Sequence, residues 1–335
     1  DSAAKWTTYK ETLAQFNKEH AGELVLIPGF EMTWSGGPGH MNTFVTEGIV
    51  SRNNKTLNNK SADAGMRAYY ELISREEGEE GITQLNHPGT TFGNFSDFAY
   101  WTPEADARTY LVEVGNGEGA IGSAGYFPSY EQYTMALDKG WHLAPTNNQD
   151  NHKGKWGNAN EARDVILAED FTEEAIYDAI RNYRVYATED RNLEITYTVN
   201  ELPMGTIIEN VPETLNFSIS IKDPDAADSI TSVALIVNSG KVAYTWDNAE
   251  ELAKGILTVE LEPEYSYYFL RVTQADKDIA VTAPIWVGES LKVGLRETTA
   301  DILAPVVGEE VTISTTLYNE EASDAVIKSV VYTLN

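Results

Sequence analysis

Leu24-Val25-Leu26-Ile27, running into Pro28-Gly29-Phe30-Glu31, is the stretch from which the fold is read. It is a short apolar run closed by a Pro-Gly turn and a carboxylate. Comparable runs recur along the chain. Gly81-Ile82-Thr83-Gln84-Leu85 leads into Asn86-His87, Tyr110-Leu111-Val112-Glu113-Val114 into Gly115-Asn116-Gly117, and Trp141-His142-Leu143-Ala144-Pro145 into Thr146 through Asp150. Helical patterns separate them. Ser61 is placed to cap a segment with Met66, Tyr69, Tyr70 and Ile73 on one face. Ser129 and Gln132 have capping-box spacing, with Gly140 as the stop, and Thr172 opens a helix that buries Ile176, Ala179, Ile180 and Tyr183. Strands alternating with helices predict an α/β domain over residues 1–190. In such domains the active site forms at the C-terminal ends of the strands, where this chain concentrates its polar residues.

After Arg191 the rhythm changes. Leu193–Val199 and Leu215–Ile221 alternate apolar and polar residues strictly, and further strand patterns follow at Val233–Val237, Ile256–Leu261, Tyr265–Thr273 and Ile279–Val287. Turn signals such as Asp223-Pro224-Asp225 and Asn238-Ser239-Gly240 lie between them. Residues 191–289 therefore read as an Ig-like β-sandwich. Residues 290–335, with strand patterns at Val311–Leu317 and Val326–Tyr332, read as the start of a further β module.

Composition narrows the chemistry. The 335 residues carry 52 acidic and 24 basic side chains, a net charge of −28. Such a surface repels nucleic-acid phosphates and anionic lipid, so neither is an expected partner. Cysteine is absent, which excludes disulfides, thiolate metal sites and cysteine nucleophiles and leaves nitrogen and oxygen as metal ligands. No apolar run is long enough to span a membrane. The chain begins at Asp1 rather than Met and shows no leader pattern, as expected of a piece of a longer protein.

Glu31, His40, His87, Asp150 and His152 are the candidate metal ligands. Each alone is as ordinary as any loop carboxylate or histidine. Together they use three of only five histidines, each at a strand end or beside glycine. His40 follows the glycine-rich run 35–39, which lets backbone approach a ligand. Pro88 is expected to hold His87 extended. Asp150 and His152, two apart, are expected to point the same way. His20 and His142, in helical and strand patterns, are treated as structural.

Pro28-Gly29-x-Glu31, Gly39-His40-x-Asn42, Asn86-His87-Pro88-Gly89, Glu113-Val114-x-Asn116-Gly117 and Asp150-x-His152, in that order, resemble the polymerase-and-histidinol-phosphatase (PHP) superfamily of metallohydrolases, in its CehA/McbA-like branch. The segments Tyr183–Thr188 and Ala283–Val287 share the resemblance, which covers about residues 15–288. It implies a partial distorted (β/α)7 barrel holding a metal cluster of Mn, Fe, Zn or Mg and hydrolysing a small or polymeric phosphoester through metal-activated water. By position, Glu31 would bridge metals, His40, His87, Asp150 and His152 would be further ligands, and Asn42, Asn86 and Asn116 would contact substrate or support the ligands. The family's opening His-x-His, Asp and Thr-Asp-His motifs do not occur here; they would lie upstream of Asp1, so the cluster in this chain is expected to be incomplete, whether that part was cut off, lies outside this chain or is lost from a degenerate domain.

The overall expectation is a secreted or cell-surface bacterial metallohydrolase fragment. Two rivals stand beside it: a non-catalytic surface module that binds glycan or protein, and a metal-independent glycan hydrolase, since acids are abundant. No nucleophile elbow, phosphate-binding loop or dinucleotide fingerprint is present.

Overall fold

The computed structural model describes residues 2–34, 38–46, 48–50, 64–70, 81–225, 228–288, 293–300, 308 and 310–319. After an N-terminal helix, Ser2–Glu19, strands β1 (Gly29–Thr33), β2 (His40–Phe44) and β3 (Ile82–Asn86) form an antiparallel meander. β4 (Thr109–Asn116) pairs in parallel with β3; β5 (Phe127–Pro128) clips antiparallel onto its end, and β6 (Ala144–Asn148) pairs with it in parallel.

Register decides what each face of this sheet carries. Cross-strand partners share a face, and so do residues two apart along a strand. Glu31 pairs with Asn42, Asn42 with Gln84, and His40 with Asn86. These five polar side chains therefore stand together. Met32, Met41 and Leu85 fall on the opposite face, packed with Val112, Val114, Tyr69, Tyr133 and Trp141 into a core. A one-residue slip would exchange the two sets, so the buried methionines and leucine hold the polar set in place.

The chain then turns to β-structure. β7 (Arg163–Ile166) and β8 (Val185–Thr188) flank the helix Glu173–Arg181. β9 (Glu194–Val199), β10 (Leu202–Pro203), β11 (Ile207–Ile208), β12 (Leu215–Lys222), β13 (Ile230–Val237), β14 (Lys241–Trp246), β15 (Ile256–Leu261), β16 (Tyr267–Gln274), β17 (Ile279–Thr282) and β18 (Ile285–Val287) follow. Four of them make one sheet, in the order β10-β9-β12-β15. The other sheet has eight strands: β11-β18-β16-β17-β8-β7, with β13 on β16 and β14 on β13. β12 alternates buried and exposed residues along its whole length, as a strand with one solvated face should.

One expectation is corrected here. Among the described residues no (β/α)7 barrel forms: strand outweighs helix, the sheets are mixed or antiparallel, and none closes. The reason is visible at β8, whose two edges are taken by β7 and β17, so the sheet of β1–β6 is not extended into a ring. The β-rich region at 191–289 is joined to the part before it, because its larger sheet continues through β17 into β8 and β7. The core agrees. Ile82, Leu111 and Ala144 of the first sheet belong to the same apolar cluster as Ile180, Phe217, Val233 and Trp246. Residues 1–288 form one compact unit, with position 190 inside it, and residues 289–335 form a second. In the second, β19 (Val293–Ala300) and β20 (Ile313–Asn319) pair as an antiparallel ladder.

Local readings shift as well. Leu24–Ile27 is not a strand; Val25 and Ile27 pack against the core, and pairing with β2 begins only at Gly29. The proposed Ser129 capping box does not form: its hydroxyl donates instead to the Pro88 carbonyl at 2.7 Å. The Thr172 cap does form, accepting from the Ala175 N–H. Ser61, Ile73 and the strand expected at Val326–Tyr332 lie outside the described residues. Among the described residues no helix is long and apolar enough to cross a membrane.

Candidate metal centre

Glu31 lies in the middle of β1, and His40 opens β2. Glu31 Oε1 is 3.2 Å from His40 Nδ1 and 3.7 Å from His87 Nε2. One ligand atom from each of the three residues lies within 4.8 Å of the others. The two imidazoles meet edge to face, with centroids 4.9 Å apart. Burial works against the Glu31 charge, but hydrogen bonds with His40, His87 and Asn86, together with the His40 charge, hold its pKa well below the usual carboxylate range.

His87 departs from the extended geometry expected before proline. Its φ is +30°, a left-handed conformation that costs on the order of 1–3 kcal/mol in a residue with a side chain. Its backbone N–H donates to Glu113 Oε2 at 2.5 Å. Its ring is buried, and Nδ1 has no hydrogen-bond partner. Nε2 is the ring nitrogen that approaches Glu31, and an imidazole nitrogen beside a carboxylate and a second imidazole suits a cation ligand. Gly39, next to His40, is a glycine for steric reasons: a Cβ there would stand 2.5 Å from the Phe95 ring.

Asn86, Asn42 and Asn116 each face a carboxylate or a neighbouring amide. Asn86 Nδ2 donates to Glu31 Oε1 at 3.1 Å and to Asn42 Oδ1 at 2.9 Å, and Asn116 Nδ2 donates to Glu113 Oε2 at 2.9 Å. Asn86 and Asn116 are buried, which suits orientation of the acids.

Asp150 and His152 do not join the three-residue cluster. They occupy the exposed loop after β6, where His152 Nδ1 is 2.7 Å from the Asp150 carbonyl oxygen and 3.7 Å from its Oδ1. Asp150 has a φ of +44°, so the extended two-residue spacing expected there is absent. The loop is tied to the end of β4 by Glu118, which accepts from the His152 N–H and pairs with Lys153. The hydrogen bond to Asp150 and the charges of Asp150, Glu118 and Glu31 raise the His152 pKa, so the loop borders the cluster electrostatically. His142 forms a buried pair with Asp106 at 2.7 Å, and His20 stacks on Phe16.

Glu113 opens the motif Glu113-Val114-x-Asn116-Gly117, but motif reading assigned it no role. Buried in β4, it accepts from the His87 N–H, Asn116, Asn148 and Gln84. Burial, aided by the charges of Asp150 and Asp164, pushes its pKa up to about 8, against the hydrogen bonds of His87 and Asn148. A glutamate in the otherwise apolar run Tyr110–Val114 was the available signal. Phe92 lies 4.5 Å from the His87 ring and 5.8 Å from His40, and meets Phe127 edge-on at 6.1 Å. These half-exposed aromatics supply an apolar wall beside the imidazoles. Below the polar set a cavity of about 130 Å³ is bounded by Gln84, Thr146, Asn148 and Asp164 together with apolar side chains.

One carboxylate and two imidazoles make a nitrogen–oxygen donor set that fits a divalent transition-metal cation. No family model matches the chain. An alignment of 136 positions, covering 37% of this chain, is 25% identical to an uncharacterized protein of Chlamydia pneumoniae, of whose length it spans 22%.

Proposed function

We propose that the chain belongs to a metal-dependent hydrolase that acts on phosphoesters, with Glu31, His40 and His87 as the nucleus of its metal centre. The observation that carries this reading is their convergence, with one ligand atom of each residue within 4.8 Å of the others. A cation held there would acidify a water molecule and neutralise phosphoryl oxygens. Manganese, iron, zinc and magnesium all fit an enzyme of this class, and imidazole favours iron and zinc over magnesium. Glu31, kept ionised by its hydrogen bonds, supplies the negative charge. Asn86 orients it, and Glu113 holds the His87 backbone in its strained turn. Asp150 and His152, on the bordering loop, are further ligands if that loop closes on the cluster. The motif order shared with the PHP superfamily is what suggests phosphoesters as substrates; an extracellular or cell-surface bacterial setting belongs to the same proposal.

The test is metal content and hydrolysis of an aryl phosphate ester, measured together. Purified protein is expected to hold manganese, iron or zinc, with Glu31→Gln and His87→Ala each lowering that content at least tenfold. Any hydrolysis is expected to vanish with chelator. Protein that binds none of these metals when supplied with them would sink the reading and favour a binding module.

A further inference from the structure

A second group of acids lies where four chain segments meet. Asp190 follows β8, Asp223 follows β12, Asp228 precedes β13, and Gln274 ends β16. One carboxylate oxygen from each aspartate lies within 4.8 Å of the others. All three Oδ2 atoms converge on a single nitrogen, Gln274 Nε2, at 3.0, 3.0 and 3.1 Å. That nitrogen carries two hydrogens, so it cannot satisfy three carboxylates.

The independent sign of a ligand is on Gln274 itself. The residue is only 1% exposed, yet its Oε1 is buried without a hydrogen-bond partner. Asp228 Oδ1 is a second buried oxygen without one. Unpaired buried oxygens are uncommon because each loses its hydration without a replacement hydrogen bond. No described lysine or arginine forms an ion pair with the three aspartates. Glu189, Asp276 and Asp278 add further negative charge around them. A carboxamide turned about its last bond exchanges its nitrogen and oxygen positions. Turned so, Gln274 presents Oε1 to three carboxylates, which is favourable only around a cation.

We infer that Asp190, Asp223, Asp228 and Gln274 form a second, all-oxygen site that takes a hard divalent cation of the calcium class. Carboxylate and amide oxygens are the donors calcium uses, at 2.3–2.6 Å in adaptable geometry. Without imidazole, the site has no feature that selects a transition metal over calcium. Its place explains its use. The cation would bind the ends of β8, β12 and β16 and the start of β13, fastening the shared sheet to the strand that joins it from the N-terminal half.

Calcium titration of the chelator-stripped full chain, followed by calorimetry and thermal unfolding, tests this. We expect one saturable calcium ion and a rise in Tm of about 5 °C at a hundredfold excess over Kd. The Glu31→Gln/His87→Ala chain should keep that response, which separates this site from the proposed metal centre. The Asp223→Asn/Asp228→Asn chain should lose it and, in chelator, should melt no lower than the unsubstituted protein, because like-charge repulsion has been relieved. Absence of saturable calcium binding by the unsubstituted chain, or an undiminished response in the double aspartate variant, would overturn the inference.

Discussion

Asn86 shows how much one buried amide can decide. Its Nδ2 reaches both Glu31 and Asn42, and its Oδ1 accepts from Gln84. The carboxylate that two imidazoles approach is thus oriented from behind. Replacing Asn86 with alanine leaves Glu31 free to rotate, and groups in this position typically set metal affinity by about 10–100-fold. Chelator competition on a folded Asn86→Ala protein should read a loss of that size; unchanged affinity would show that Glu31 is held by the histidines alone. Asp164 decides something different. Burial raises its pKa to about 6 from the ordinary 3.8, although the Asn147 N–H donates to it. The folded state therefore binds this proton more tightly than the unfolded chain does. That contribution is fully present below about pH 4 and is lost as pH rises through about 6; the shift corresponds to about 3 kcal/mol. Asp164→Asn should remove it. The variant's stability advantage over the original protein should grow between pH 4 and pH 7, and a constant difference across that range would refute the assignment.

At the scale of elements, the candidate metal centre depends on contacts between a turn and a helix. The His87-Pro88 turn is held in its left-handed conformation from one side by Glu113 and from the other by Ser129, whose hydroxyl donates to the Pro88 carbonyl. Ser129 precedes the helix Tyr130–Asp138, so the hydrogen bond that would have capped the helix fastens the turn instead. Ser129→Ala should cost about 1 kcal/mol of stability. Amide exchange should quicken around residues 87–93 rather than in the helix alone. Exchange accelerated only within 130–138 would mean that Ser129 acts as a cap after all.

The molecule as a whole unites its α/β and β-rich parts through a shared sheet and a shared core. β8 pairs with β17 across nearly a hundred residues of sequence, and Tyr133 of the first part hydrogen-bonds the Thr282 carbonyl of the second. Calorimetry of residues 1–288 should accordingly show one cooperative transition. A fragment ending at residue 190 should fail to fold, because β8 would lose the partner on one edge and the apolar cluster would be divided. Two resolved transitions, or a native-like fragment 1–190, would show the halves to be independent.

The sequence by itself determined which residues could bind a metal and where most strands run. Alternation marked β9 and β12, and the histidine placement marked His40 and His87, because both signals are local: side-chain period and donor chemistry are properties of neighbours in the chain. It did not determine how the strands join. Whether β6 is followed by another parallel strand or by an antiparallel detour depends on which distant edge offers hydrogen bonds, and here β17 supplies the edge for β8. The same limit applies to the site. Glu31, His40 and His87 meet because the β1-β2-β3 register buries Met32, Met41 and Leu85 on the opposite face. Asp150 and His152, on a loop outside that ladder, have no register to carry them in. Glu113 became prominent only once burial and its four N–H donors could be seen. Pairing and burial are settled among residues far apart in sequence, which is why tertiary structure alone decided them.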